Sequence, residues 1–371
     1  MKNNRTFLEK LLDGAEVEWK PLIKVASLTR GRVISKEYLA NNLGDYPVYS
    51  SQTVNNGEIG KINSFDFDGE FVSWTTDGAN AGTVFYRSGK FSITNVCGLI
   101  KIQNNLELNY KFLFYWLSIE AKNHVYSGMG NPKLMSHQME KILIPIPPLP
   151  VQTEIVKILD ALTALTSELT SELILRQKQY EYYREKLLSF DSLEQLNSGG
   201  GGKKKLIDVC INIFSGKNKE RNDNGLYPIY GSTGIIGKTN KKEFSNEQIL
   251  IARVGANAGY VHIAKGEYDV SDNTLIVQNN ENIDLKFLYH TLVNIKLNQY
   301  AKGAGQPLIT AGQLKSMEIN VPSLEEQQRI VSILDKFETL THSITEGLPL
   351  AIEQNHKQYE YYRELLLNFK Q

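Results

Sequence analysis

A stretch of seven residues occurs twice in this chain, as Gln179-Tyr180-Glu181-Tyr182-Tyr183-Arg184-Glu185 and as Gln358-Tyr359-Glu360-Tyr361-Tyr362-Arg363-Glu364. Identity over that length makes the chain an internal repeat, and this bounds its architecture before anything else is known. The first copy closes a long segment whose seam residues recur at alternating steps of four and three: Ile155, Leu159, Leu162, Thr166, Leu169, Leu173, Arg176, Tyr180, Tyr183, Leu187 and Phe190. This spacing predicts a helix with a coiled-coil seam. From Ile155 to Phe190 there are 36 residues, which at 1.5 Å per residue gives a rod ~54 Å long. Such a rod does not fill a core; it holds things apart.

The rest of the chain follows the same duplication. Gly78-Ala79-Asn80-Ala81-Gly82 returns as Gly255-Ala256-Asn257-Ala258-Gly259, 177 residues later. Gly128-Met129-Gly130-Asn131-Pro132 returns as Gly303-Ala304-Gly305-Gln306-Pro307 at a spacing of 175, which holds through Ile158-Leu159-Asp160 and Ile333-Leu334-Asp335. Short runs such as Gly69 to Trp74, broken by turn residues and joined by one apolar helical stretch at Tyr110 to Leu117, predict α+β units at 1–149 and 204–322. Prolines 145, 147, 148 and 150 precede the first rod, at 150–193, where proline is tolerated at a helix start but not inside. A glycine run at 199–202 marks a flexible joint within 194–203. The second rod, 323–371, has a spacing of 179 at the tyrosine motif and so carries four additional residues around Glu346-Gly347-Leu348-Pro349. Four residues read as a stutter that keeps the seam in phase, with Pro349 kinking or interrupting the helix. Glu9-Lys10-Leu11-Leu12 echoes Glu185-Lys186-Leu187-Leu188. The chain therefore begins on a fragment of rod end, and a pseudo-twofold molecule with adjacent termini and two antiparallel coiled-coil rods between two globular units is expected.

Lysine plus arginine and aspartate plus glutamate both number 41, so the net charge is zero and any nucleic-acid surface must be local. Cys97 and Cys210 have no cysteine at their repeat partners, which fits idle buried thiols in a reducing cytoplasm better than a disulfide or metal design. No stretch reaches the eighteen or so apolar residues of a membrane span. A cytoplasmic, soluble protein is expected.

Three segments together resemble the DNA specificity subunits of type I restriction-modification systems, most closely the subclass whose rods carry a Leu-Thr-Ala-Glu-like repeat. They are Leu8 to Gly14 with Glu16-Val17-Glu18-Trp19, the proline-rich lead into Glu154 to Asp160, and the tyrosine motif. The resemblance implies a chain without catalytic activity of its own. It implies target recognition domains that each read one half of a bipartite, asymmetric double-stranded DNA sequence, and rods that fix the spacing and dock two modification subunits. It also implies S-adenosylmethionine in those methyltransferase partners, and ATP and magnesium with the restriction subunits that translocate and cut, leaving no cofactor on this chain.

A half-site reader needs small-residue loops, polar side chains for base edges and cations for phosphates. Arg30, Arg32 and Lys36 stand in one early loop and Lys217, Lys219 and Arg221 in its counterpart; Lys61 matches Lys238, joined by Lys241 and Lys242. Asn80 and Asn257 sit in the glycine-flanked turns, while Asn131 and Gln306 precede prolines and carry amides able to read adenine. On the rods, Tyr180 and Tyr183 belong to the seam, whereas Tyr182 and Tyr361 point off it; with Arg184 and Arg363 these are the candidate partner-binding residues. The bland readings are solvated cations, ordinary turn chemistry and rod packing. Ser232 to Thr239 misses the first glycine of a phosphate-binding loop and lacks its helix, and the six histidines show no zinc spacing. A stand-alone nucleic-acid-modifying enzyme is thus disfavoured; a protein-interaction scaffold without a DNA role is the other alternative.

Overall fold

The computed structural model describes residues 6–127, 130–196, 201–222, 224–303 and 305–370. The chain divides into two compact units, Met1–Glu168 with Glu353–Gln371, and Leu169–Ile352.

The first unit opens with α1 (Phe7–Leu12), whose Thr6 hydroxyl accepts from the Glu9 amide while the Glu9 carboxylate accepts from the Thr6 amide. This reciprocal capping box lets so short a helix persist. Then come β1 (Glu18–Pro21), α2 (Leu22–Val25), β2 (Ala26–Arg30), α3 (Lys36–Asn41), β3 (Leu43–Tyr49), β4 (Glu58–Ile62), β5 (Phe67–Thr75), β6 (Val84–Ile93) and β7 (Cys97–Ile102). They are followed by α4 (Tyr110–Glu120), α5 (Ser136–Met139), β8 (Leu143–Ile146) and α6 (Leu149–Leu187), whose later part belongs to the second unit. Six strands form one sheet in the order β2-β7-β5-β6-β3-β4, and β1 pairs antiparallel with β8. β5 is central, and its Phe71-Val72-Ser73-Trp74-Thr75 run is buried on both faces. On one face Val72, Trp74 and Ile100 meet Phe112, Leu113 and Trp116 of α4; the other holds Phe71, Phe91, Ile93 and Leu99. Side chains of this size each contribute roughly 1.5–3 kcal/mol on burial, so the sheet is the scaffold on which the loops are fixed.

The second unit repeats the plan with α7 (Phe190–Leu196), β9 (Gly202–Lys205), β10 (Cys210–Ser215), β11 (Tyr227–Gly231), β12 (Gly234–Thr239), β13 (Gln248–Ala252) and β14 (Val261–Ala264). It continues through β15 (Asp269–Val270), β16 (Thr274–Asn279), α8 (Leu285–Asn294), α9 (Ala311–Ser316), β17 (Glu318–Val321), α10 (Leu324–His342) and α11 (Gly347–Leu366), which ends in the first unit. The sheets run β10-β16-β13-β14 and β12-β11-β15, with β17 on β9. This is the order of the first unit with β6 cut in two, since the parallel β11·β15 pair stands where β3·β6 does. The cut follows from β13, which spans five residues where β5 spans nine and gives the strand beside it no ladder to continue on.

In each unit the long helices bury part of the expected seam, while its Tyr183 and Phe190 are 41% and 52% exposed. Ile155, Leu159 and Tyr180 are buried, Leu162, Thr166, Leu169, Leu173 and Arg176 are half-buried, and Leu165, Ile174 and Leu175 are exposed. Within the first unit α6 and α11 run antiparallel: the Asn355 amide donates to the Leu162 carbonyl at 2.8 Å and Thr166 Oγ1 at 2.6 Å, while Leu366, Leu367 and Phe369 reach the core around Phe112. Within the second, Tyr183 stacks on Phe337 at 5.5 Å and Tyr180 meets His342 at 5.8 Å.

Two expectations are corrected. The first rod helix stops at Leu187, short of Phe190, because the Ser189 hydroxyl accepts from the Ser192 amide and starts α7. The second rod does not carry its four additional residues as a stutter inside a continuous helix. It breaks between His342 and Gly347, where Gly347 takes φ +80° and a Cβ would lie 2.6 Å from the Thr339 carbonyl oxygen. Pro349 then sits in the first turn of α11, where its missing N–H costs nothing. The glycine joint falls largely outside the described residues, although Gly202 pairs in β9 opposite Val321. Both cysteines are free and buried, which pushes the Cys97 thiol up to about 11 and that of Cys210 to about 12. Among the described residues no helix is long and apolar enough to cross a membrane.

Candidate nucleic-acid interface

The basic residues hang on the β3·β4 and β11·β12 hairpins and on the segments leading to them. Lys61 lies opposite Pro47 and Lys238 opposite Pro228, the same register in both units, and both lysines are exposed. In the second unit Lys217, Lys219 and Lys241 line a groove of about 420 Å³ with Phe214 and Phe244, while Lys219 and Arg221 line a neighbouring one. Lys219 lies 3.8 Å from the Asp272 carboxylate, and Lys242 is ion-paired with Glu267, which raises its pKa. Pairs this exposed are weak, so the cations stay available. In the first unit Lys36 is exposed on α3, while Arg32 donates to Asp66 at 2.9 Å and lies over the Tyr38 ring. Arg30 stands apart from the other two. It is the last residue of β2 rather than part of a loop, and its Nη2 donates to the Asn95 carbonyl at 2.7 Å.

The two glycine-rich segments of each unit are stitched together. The Gly78 amide donates to the Pro132 carbonyl and the Gly255 amide to that of Pro307, both at 3.0 Å. Asn131 and Gln306, both exposed, therefore stand beside the asparagine turns. The turns themselves differ. Asn80 is half-buried and its amide donates to the Ser51 carbonyl at 3.0 Å, a structural bond. Asn257 is exposed and lines a cavity of about 550 Å³ with Tyr180, Arg184, Tyr260 and His342. Gly128, Met129 and Ala304 lie outside the described residues.

On the rods, Tyr182 and Tyr361 are 57% and 62% exposed, consistent with their position off the seam. Arg184 and Arg363 are half-buried, each lying over the tyrosine four residues before it, at 5.0 Å from Tyr180 and 5.5 Å from Tyr359. The histidine spacing gave no metal expectation, yet the fold places ligand atoms of His290, Asp335 and Glu338 within 4.8 Å of one another. Those atoms are already engaged: Asp335 by His290 and the Lys286 ammonium, Glu338 by the Tyr289 hydroxyl, and His290 Nδ1 3.4 Å from the Tyr180 hydroxyl. The first unit builds the same tie without histidine, the Asp160 carboxylate accepting from Lys111 at 2.5 Å and from the Tyr115 hydroxyl at 2.7 Å. The cluster is a strut between helix and rod.

Sequence reading missed three features. Gln152 and Gln327 are fully buried, and each accepts from a backbone amide at the start of the domain helix while donating to a proline carbonyl. Their spacing of 175 and the proline five residues before each were the available signal. Arg87, buried in β6, and Arg253, half-buried just after β13, have no arginine at their repeat positions and so escaped a search for matched cations.

A duplicated α+β unit that presents cations, amides and small-residue turns from its hairpins and loops, tied by polar struts to long helices, defines a tandem-repeat protein with a matched polar surface on each unit. Comparison with known proteins says which. The type I restriction modification DNA specificity domain matches residues 15–176 and again 202–354. The chain is 42% identical to a type I restriction enzyme specificity subunit of Haemophilus influenzae over the full length of both, and 36% identical to the EcoprrI specificity subunit of Escherichia coli over 92% of each. In fold it is similar to the S subunit of a type I restriction-modification system from M. genitalium, with a TM-score of 0.66, 17% identity, and coverage of 100% of this chain and 99% of that one. The chain belongs to the type I restriction-modification DNA specificity subunits. Its role is to supply sequence specificity, methylation and cleavage being carried by partner subunits.

Proposed function

We propose that each unit reads one half of a bipartite, asymmetric duplex sequence, with Lys36, Lys61, Lys217, Lys219, Arg221, Lys238, Lys241 and Lys242 on phosphates. Asn131, Gln306 and Asn257 are the candidates for base edges. The observation that carries this is positional: the same exposed lysine stands in the same hairpin register of two units whose intervening residues differ. Arg32 and Asn80 serve to shape their loops. The helices set the spacer and dock two modification subunits, with Tyr182 and Tyr361 as the contact residues and Arg184 and Arg363 holding the tyrosines beneath. S-adenosylmethionine, ATP and magnesium belong to the modification and restriction partners, and this chain binds none of them.

The full chain with its modification partner is expected to retain one bipartite duplex over scrambled DNA, with affinity falling steeply as salt rises. Substituting Lys217, Lys219 and Arg221 by alanine should weaken binding and reduce the salt slope by about one unit per lost phosphate contact, with partner assembly intact. Equal binding to every sequence would overturn the reading and favour a protein scaffold.

A further inference from the structure

Each unit brings one guanidinium to the seam between its two glycine segments, but from opposite strands. In the first unit it comes from Arg30, the last residue of β2, which pairs with Gly98 of β7. The corresponding position of the second unit is Ser215, the last residue of β10, which pairs with Leu275. There the arginine comes from across the sheet. Arg253 follows β13, at the position that Thr76 holds after β5. The equivalence rests on matched bonds: the Thr76 and Arg253 carbonyls accept from the Leu134 and Ile309 amides, and their amides donate to the Val96 and Asn273 carbonyls. Arg253 Nη1 donates to Ser215 Oγ at 3.3 Å, so the side chain reaches the place from which Arg30 projects. Arg30 in turn reaches towards Asp77, with Nη2 3.9 Å from its carboxylate, next to Thr76. The pair Arg30/Thr76 has been exchanged for Ser215/Arg253, so that each unit keeps one arginine bridging the same two strand ends.

The two sites differ in how the charge is met. Asp77 stands beside Arg30, whereas Val254 occupies that position in the second unit, and among the described residues Arg253 has no carboxylate partner and a buried Nε without an acceptor. A half-buried cation held by one weak hydrogen bond is costly to keep unless a ligand meets it. Arg253 stands between the asparagine turn and the Gln306 segment, its carbonyl accepting from the Ile309 amide.

We propose that Arg253 is a specificity-determining residue of the second recognition domain, reading a guanine edge of the second half-site through its guanidinium, as Arg30 does from the opposite strand in the first. The assignment rests on the DNA-reading role proposed above. A planar fork matches guanine O6 and N7, and such a bidentate contact discriminates by about 1–3 kcal/mol, which is roughly 5-fold to 150-fold in preference at one base pair.

The test uses the full chain with its modification partner and duplex libraries in which one half-site at a time is randomised. Arg253→Thr is expected to relax preference at one base pair of the second half-site by about 5-fold to 150-fold, leaving the first unchanged. Ser215→Arg combined with Arg253→Thr, which rebuilds the first unit's arrangement, is expected to restore it. Arg30→Ser should relax the first half-site alone, and Thr76→Arg in the same chain should rescue it. An unchanged base profile, or a uniform loss across all sequences, overturns the proposal; in the latter case the arginine serves phosphate or fold. Should Arg253→Thr fail to fold, Arg253→Lys decides, since it keeps the charge and loses the fork: relaxed preference upholds the assignment and an unaltered profile ends it. A wild-type chain that selects no bipartite sequence fails the DNA reading itself, which is a different result from any of these.

Discussion

His262 is wedged between the rings of Tyr230 and Tyr260, with centroids 5.6 and 5.7 Å away, and both its nitrogens are buried without a partner among the described residues. Burial pushes its pKa down to about 4. The folded state therefore refuses a proton that the unfolded chain accepts near pH 6.5. Stability from this residue is complete above that pH, falls as pH drops from there towards 4, and is level below. The loss at its fullest is on the order of 3 kcal/mol. Urea midpoints taken at pH 7 and pH 5 should differ in the wild type, and His262→Phe should shrink that difference. Arg87 shows the opposite economy of charge. It is 2% exposed, lies 3.6 Å from the Tyr49 ring centroid, and donates to Ser73 Oγ at 3.0 Å and the Asn56 carbonyl at 2.8 Å. It clamps the turn containing Asn55 and Asn56, both at positive φ. Arg87→Ala would leave that carbonyl unpaired over a cavity, and a loss of about 3 kcal/mol is expected, read as a lowered melting temperature with early protease cleavage near Asn56. Neither environment was legible in the sequence. Arg87 stands in an alternating run that reads as an exposed strand edge, and His262 in one that reads as half-exposed. Phe85 and Tyr260 stand two residues from Arg87 and His262, but the second ring on each, Tyr49 for Arg87 and Tyr230 for His262, comes from a strand more than thirty residues away.

At the scale of elements, the seam of α6 was legible because a period of three and four is a property of the helix itself, and it needed no tertiary information. The break in the second rod was legible only in part, since Pro349 pointed to a kink or an interruption. A four-residue insertion is phase-neutral in a coiled coil, so arithmetic alone cannot separate a stutter from an interruption; the positive φ of Gly347 decides it. The lysine hairpins were legible as matched residue types. The exchange of Arg30 for Arg253 was hidden, because position-by-position comparison pairs each arginine with a hydroxyl residue. Most consequential among the unread elements is the glutamine at the foot of each rod. Gln327 Oε1 accepts from the Asp284 amide at 2.7 Å, and its amide donates to the Pro322 carbonyl at 2.9 Å, joining the start of α8 to the start of α10. Gln327→Leu is nearly isosteric but strands buried polar groups, so a cost of roughly 2–4 kcal/mol is expected. Hydrogen exchange should find faster amides at the beginning of α8 while the β13·β16 ladder stays protected. Slower exchange throughout would mean that apolar packing outweighs the bonds.

The molecule as a whole uses its two ends to finish one unit. Leu8 of α1 lies in the same core as Leu366, Leu367 and Phe369, and Phe369 meets Phe112 and Trp116 edge-on at 6.0 and 6.2 Å. That core cannot close without the last helix. Yet the chain already holds a near-copy of what closes it, since Tyr180, Leu187, Leu188 and Phe190 stand at the positions of Tyr359, Leu366, Leu367 and Phe369 in the repeat. A fragment of residues 1–197 has the first globular unit, a whole α6, and no α11. Two such fragments can supply each other's missing segment, a closed twofold exchange with each contact made twice. The fragment is therefore expected to be a dimer by sedimentation, dissociating on dilution because the covalent link is gone, and with the modification partner to select a palindrome built from the first half-site. Leu188→Asp in the fragment should return it to monomers, since it places a carboxylate where Leu367 is buried. A stable monomeric fragment, or a dimer indifferent to Leu188→Asp, would mean that the repeat matches in sequence without being interchangeable in packing.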